Sequence, residues 1–280
     1  MKILVTGVNG QLGYDVVKEL KKRSYEPIGV DKKEMDLQSD IEIKSCIEKV
    51  KPQVIIHCGA YTAVDMAEDN EELCNRINYI ATKEIAKYAK ALDIPMIYIS
   101  TDYVFDGSKN IDSEYTEEDK TNPINIYGKS KLYGEDFVRN ILDKYYIVRI
   151  SWVFGKNGNN FIKSILRLAN EREELRIVND QIGSPTYTKD LSVLLCDMIE
   201  TDRYGIYHAT NEGYCTWYEF AKEILRLSNI DIKLNPISTK DYKTKAKRPM
   251  NSKMSKDKLA KNGFKKLRHW KDALKDYINE

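Results

Sequence analysis

An apolar run, Lys2-Ile-Leu-Val-Thr6, meets three glycines at the spacing Gly7-x-x-Gly10-x-x-Gly13 and passes into an amphipathic stretch. A strand that stops at a tight turn, with a helix starting a few residues on, opens a parallel βαβ unit. Each glycine has a separate reason. Gly7 permits the turn, Gly10 lets the backbone approach a bound group, and Gly13 lets helix and strand pack closely. The helix N-terminus then offers free N–H groups and the positive end of its dipole, which is what holds phosphate. Gly7, Asn9, Gly10, Gln11, Leu12 and Gly13 are therefore candidate contacts to a dinucleotide. Asp31 ends the next apolar run, 18 residues past Gly13, where a carboxylate accepts from an adenosine ribose. A carboxylate there favours NADH over NADPH. Lys32 and Lys33 follow directly and offset the repulsion of a 2′-phosphate, so both cofactors stay open.

The first 150 residues alternate Ile- and Val-rich runs with amphipathic stretches, the pattern of a parallel sheet covered on both faces. Strands are predicted at Lys2–Thr6, Glu26–Asp31, Gln53–Cys58, Pro95–Ser100 and Tyr146–Ile150. Helices are predicted at Gln11–Lys22, Ile41–Lys49, Glu71–Ala91 and Tyr127–Leu142. Ile43, Cys46, Ile47 and Val50 form one apolar stripe at helical spacing. Beyond residue 153 the order loosens. Helices are expected over Asn160–Glu173, Lys189–Glu200 and Trp217–Leu227 and after His269, with strands at Leu175–Val178 and Gly205–Ala209. The fold class expected is α/β: a Rossmann-type doubly wound parallel sheet with a smaller α/β substrate-binding lobe. The sheet domain takes residues 1–152 plus 186–211, and the second lobe takes 153–185 plus 212–280.

Composition narrows the function. Hydrophobic residues at 42% supply a core, and Lys+Arg 45 against Asp+Glu 43 is too balanced for a general nucleic-acid footprint. The five cysteines are scattered without CxxC spacing, which fits reduced thiols. The three histidines are not spaced as zinc ligands, so no metal is expected. No apolar run is long enough to span a membrane. Met1 leads straight into the first strand without a signal peptide, so the expected location is cytoplasmic.

The Gly-x-x-Gly-x-x-Gly spacing resembles the short-chain dehydrogenase/reductase superfamily, in particular its extended branch acting on nucleotide sugars. The resemblance implies that Asp36 and Leu37 flank the adenine and that Gly59, Ala60, Tyr61 and Thr62 line the path to the nicotinamide. It also implies a catalytic Tyr-x-x-x-Lys pair, whose lysine lowers the phenol pKa and bonds the nicotinamide ribose, while the phenol protonates the substrate carbonyl. That pattern occurs four times: Tyr14/Lys18, Tyr79/Lys83, Tyr127/Lys131 and Tyr218/Lys222. Position separates them. Only Tyr127 opens the helix after the fourth strand, at the strand end where ligands sit in open α/β sheets. Thr101, ending that strand, is the expected third member of the set; a plain strand-terminating turn is its alternative.

Longer stretches sharpen the likeness. Ser100-Thr-Asp-Tyr-Val-Phe-Asp-Gly107, Tyr127-Gly-Lys-Ser-Lys-Leu-Tyr-Gly-Glu135, Arg149-Ile-Ser-Trp-Val-Phe-Gly155 and Asp180-Gln-Ile-Gly-Ser-Pro-Thr186 resemble the dTDP-4-dehydrorhamnose reductase family, as does Arg248-Pro-x-Asn-Ser252. The resemblance covers nearly the whole chain. It implies reduction by NADH or NADPH of the 4-keto group of dTDP-4-dehydro-6-deoxy-L-mannose, giving dTDP-L-rhamnose for cell-surface polysaccharide. Sister dehydratases carry Thr-Asp-Glu, whereas here Tyr103 follows Asp102, which argues against water elimination. Thr101, Asp102, Tyr103, Trp152, Asn160 and Arg248 are the candidate substrate contacts, Arg248 for the pyrophosphate and Trp152 as a wall of the sugar pocket. Plain packing is the alternative for Trp152, a turn for Asn160 and a solvated basic loop for Arg248. The expected partner is a nucleotide-diphosphate sugar, not nucleic acid or membrane. Some members of the family form homodimers, so a second copy is compatible. A reductase or epimerase of another nucleotide sugar, and a non-catalytic dinucleotide-binding subunit, are the rival readings.

Overall fold

The Ile- and Val-rich segments become strands because β-branched residues pack well on a pleated, buried surface. A computed structural model describes residues 1–280. Its main strands in chain order are β1 (Lys2–Thr6), β2 (Glu26–Val30), β3 (Val54–His57), β4 (Met96–Thr101) and β5 (Tyr145–Ile150). There follow β6 (Val153–Phe154), β7 (Glu174–Val178), β8 (Ile182–Gly183), β9 (Thr186–Tyr187) and β10 (Gly205–His208). Four short strands complete the set: β11 (Asn211–Glu212), β12 (Cys215–Thr216), β13 (Lys233–Ile237) and β14 (Leu267–His269). One six-stranded sheet runs β2-β1-β3-β4-β5-β10, and every pair in it is parallel.

The helices are α1 (Gln11–Lys22), α2 (Asp40–Val50), α3 (Val64–Ala67), α4 (Glu71–Asn75), α5 (Ala81–Ala91) and α6 (Ile126–Ile141). Then come α7 (Phe161–Glu171), α8 (Thr188–Met198), α9 (Trp217–Leu227), α10 (Asp257–Lys261) and α11 (Trp270–Asn279). Leu12, Val16 and Leu20 seat α1 beside α8 on one face of the sheet. On the other face lie α2, α5 and α6, with Ile43 and Ile47 buried and Cys46 and Val50 partly so. The chain is thus a Rossmann-type α/β sheet with helices on both faces. No helix is long and apolar enough to cross a membrane.

The helix predicted over Glu71–Ala91 is interrupted. Between α4 and α5 the chain makes a π turn, Arg76–Ile80, and the polar Asn78 within it is buried. The added width turns the Asn78 amide inward, where it bonds the backbone of Tyr61 and the Ser130 hydroxyl. Periodicity cannot register such a turn, because the apolar stripe resumes on its far side.

The chain leaves the sheet after β5 and returns to it. β10 pairs with β5, and α8 packs on α1, so both contribute to the main core. A second core, containing Phe154, Ile162, Phe220, Trp270 and Tyr277, gathers α7, α9 and α11. The chain crosses back once more than the sequence led us to expect. Leu259, Phe264 and Leu267 belong to the main core, with Phe264 edge-on to Tyr207 at 5.5 Å between ring centroids.

Candidate active site

The C-terminal ends of β1 to β5 open on one cavity of about 1020 Å³. Gly7 sits at φ +68°, and a Cβ there would lie 2.8 Å from the Gly59 backbone. A Cβ on Gly13 would stand 2.3 Å from the Gly7 carbonyl oxygen. The turn therefore admits no side chain at either place, and the first N–H groups of α1 are left facing the cavity. Asp31 ties the loop down: its carboxylate accepts from the backbone N–H of Asn9 and of Lys32, each at 2.8 Å. From the other lobe, Asn157 donates to the Asn9 carbonyl at 2.7 Å. Gly10, Gln11, Leu12, Lys32, Asp36, Leu37 and the segment Gly59-Ala60-Tyr61-Thr62 also line the cavity. The Asn78 amide clamps that segment, accepting from Tyr61 N–H at 2.7 Å and donating to its carbonyl at 3.0 Å.

Thr101, Tyr127 and Lys131 meet at the same cavity. Asn125 caps α6, accepting from Gly128 N–H at 2.7 Å, and so fixes where Tyr127 stands. A Cβ on Gly128 would reach within 2.2 Å of the Tyr103 carbonyl oxygen, so glycine lets α6 press against the turn after β4. Tyr103 meets Tyr127 edge-on at 5.6 Å. The other Tyr-x-x-x-Lys pairs do not line the cavity. Tyr14 is exposed with the Lys18 ammonium over its ring, and Tyr79 packs on Tyr133.

The electrostatics differ from the expected picture. Burial pushes the Tyr127 phenol above its usual range, and the nearby Asp102 and Tyr103 push the same way. The neighbouring Thr101 hydroxyl pulls it down, while Lys131 is not among the groups acting most strongly on it. Burial acts on the lysine as well, lowering its own pKa to about 7. The phenol therefore stays protonated at neutral pH, as a proton donor must. Thr101 accepts from the Tyr103 N–H and donates to Asp102 Oδ1 at 3.0 Å, so the predicted strand-end turn and a hydroxyl at the cavity coexist. Asp102 Oδ2 is buried without a hydrogen-bond partner, and burial raises this carboxyl to about 6.

Trp152 walls the cavity from a left-handed backbone conformation, φ +48°. It stacks on Trp217 at 3.6 Å and 15°, while Gly183 leaves room for its ring. Asn160 touches the cavity, but its amide caps α7 and bonds Gly155 and Gln11, so its polar atoms are already engaged. Arg248 does not line the cavity. Its guanidinium is held by Asp65 at 2.6 and 3.1 Å, beside Tyr103. His57 is buried and neutral, its pKa lowered to about 3, and both ring nitrogens bond threonines, Thr6 and Thr82. Asn78, Asp65, Asn157 and Trp217 were not singled out from the sequence. Asn78 left one trace, an amide set between the apolar Ile77, Tyr79 and Ile80.

The cradle without side chains, the free N–H groups of α1 and the cavity volume fit a dinucleotide. Known proteins agree with this geometry. A family model described as the RmlD substrate binding domain matches residues 1–280. The dTDP-4-dehydrorhamnose reductase of Aggregatibacter actinomycetemcomitans is 39% identical, across 98% of this chain and 97% of that protein. The crystal structure of a dTDP-4-dehydrorhamnose reductase from Clostridium acetobutylicum superposes with a TM-score of 0.96 at 42% identity, covering 100% of this chain and 99% of that one. The Bacillus anthracis dTDP-4-dehydrorhamnose reductase, solved in complex with NADP, gives 0.95 at 41% identity, covering 99% and 98%. The chain belongs to the dTDP-4-dehydrorhamnose reductase family.

Proposed function

We propose that this protein reduces the 4-keto group of dTDP-4-dehydro-6-deoxy-L-mannose with NADH or NADPH, forming dTDP-L-rhamnose. The observation that carries the reading is the meeting of Thr101, Tyr127 and Lys131 at the cavity lined by the glycine loop. When bound, the nicotinamide cofactor supplies the hydride. The glycine loop and the N-terminus of α1 hold its phosphates, Asp31 meets its adenosine ribose, and Asp36 and Leu37 border the adenine. The protonated Tyr127 phenol gives its proton to the carbonyl oxygen, to which the Thr101 hydroxyl, rotated away from Asp102 Oδ1, donates a hydrogen bond. Lys131, in its charged form, bonds the nicotinamide ribose.

Substrate contacts are assigned to Asp102, Tyr103 and Trp152 at the cavity wall. Arg248 acts through Tyr103, because its own charge is matched by Asp65. Residues 153–185 and 212–280, apart from the 259–267 stretch that joins the sheet core, are assigned to the substrate side of the cleft. The test is an absorbance assay of NADH and NADPH oxidation with a panel of nucleotide 4-keto-sugars. Oxidation dependent on the dTDP-linked 6-deoxy sugar is expected. Cofactor binding without turnover on any of them would overturn the reductase reading in favour of a non-catalytic subunit.

A further inference from the structure

Tyr127, Lys131 and Glu135 recur at every fourth position of α6 and so share one face of it. Lys131 and Glu135 are both 2% exposed. The Lys131 ammonium stands 4.0 Å from the centre of the Tyr98 ring. Around it lie Tyr98 on β4, His57 and Cys58 at the end of β3, Cys74 on α4, and Tyr127 and Glu135 on its own helix. Burial keeps His57, Tyr98 and Tyr127 neutral and pushes the Cys58 thiol up to about 12. Glu135 is the one carboxylate acting on the lysine's charge.

That carboxylate is not free to move. Arg149, next to last in β5, grips it with Nε at 2.9 Å from Oε1 and Nη2 at 2.7 Å from Oε2. The guanidinium lies over the Phe105 ring, 5.1 Å from its centre, with Nη1 3.4 Å from Nε2 of a neutral, buried His208. The fork geometry fixes both atoms of the carboxylate. Such a pair, 3% exposed on each side chain, is not explained by stability alone, since apolar residues of similar volume often serve as well.

We infer that Glu135, locked by Arg149, is a positioning residue for the proposed reaction: its buried carboxylate holds the Lys131 ammonium charged and aimed at the cavity. The inference rests on the assignment of Lys131 to that reaction. Its physical basis is a balance. Desolvation strips the proton from a buried amine, and the field of Glu135 opposes it, leaving the midpoint at about 7. The charged form is lost as pH rises through that midpoint, so removing Glu135 must move the loss to lower pH.

The test reads Lys131 directly in the cofactor-free protein, by NMR titration of 13Cε-labelled lysines with Lys131→Met assigning the signal. Glu135→Gln should lower the Lys131 midpoint by about one unit, and the basic limb of kcat/KM should follow. Glu135→Asp should keep the parent midpoint while losing some stability. Because Glu135→Gln strands a buried guanidinium, the double variant Glu135→Met, Arg149→Met is the well-folded control; it should shift the midpoint down as well, but by less, since the Arg149 charge that opposes Glu135 leaves with it. A midpoint within about 0.3 unit of the parent in folded Glu135→Gln, or no downward shift at all in the double variant, would reduce the pair to a structural ion pair. A parent protein that oxidises no cofactor would overturn the reductase reading instead, and the apoprotein titration would still decide the role of Glu135.

Discussion

Asp102 keeps one oxygen unpaired in the interior while the other takes the Thr101 hydroxyl, and this arrangement has a thermodynamic signature. Its carboxyl titrates near 6 when folded against 3.8 for the ordinary group. Between those values the unfolded chain releases a proton that the folded protein retains, so stability falls as pH rises through this window. Asp102→Asn cannot ionise. Relative to the parent it should gain about 2–3 kcal/mol between pH 4 and pH 8, read from denaturant unfolding at the two pH values. A pH-independent difference would mean that Asp102 is not held against its own ionisation. Tyr127 answers to chemistry instead. Tyr127→Phe keeps the ring and its edge contact with Tyr103, so cofactor affinity by calorimetry should hold while turnover falls by roughly 10²–10⁴. Lys131→Met should damage both, because it removes the charge assigned to the nicotinamide ribose beside the reacting centre. The same Tyr→Phe change at Tyr14 or Tyr79 should leave turnover unchanged.

Among the elements, the π turn at Arg76–Ile80 joins two parts of the site that strand order alone would not connect. Asn78 reaches the Tyr61 segment on one side and Ser130, next to Lys131, on the other. Asn78→Ala should cost about 2–4 kcal/mol, since several buried polar groups lose partners at once. It should also weaken cofactor binding, seen as a smaller thermal shift on adding NADPH. Unchanged binding would separate the turn from the site. Elements of this molecule differ in how far the sequence announced them. β1, α1 and α9 fall on the bounds that apolar periodicity predicts, because each buries one continuous stripe. The cavity lining was legible too, since glycine spacing and the ends of parallel strands are local features. What escaped were polar side chains that bond backbone or charge far along the chain. Asp65 meets Arg248 across 183 residues, and Asn157 meets Asn9 across 148. Such pairs leave no periodic trace at either end. The phenol's upward shift escaped as well, because it depends first on how deeply Tyr127 itself is buried.

Over the whole molecule, the sheet core is closed by residues drawn from three separate stretches of chain. Leu191, Leu194 and Leu195 come from α8, Tyr207 from β10, and Leu259, Phe264 and Leu267 from near the C-terminus. Phe264 is 6% exposed, and Phe264→Ala should destabilise the fold by about 3–5 kcal/mol. Calorimetry should show one transition moved to lower temperature. Two transitions, with only the second lobe affected, would mean that Phe264 supports that lobe and not the sheet. The same crossing bears on how the protein is made. β1 to β5 are complete in the first part of the chain, yet Leu259, Phe264 and Leu267, which help cover their sheet, follow much later. A product cut short by a premature stop before Leu259 displays bare apolar surface and unfolds into the reach of chaperones and proteases. Closure of the core thereby depends on a late stretch of the chain, and a fragment that ends before it would leave its interior uncovered.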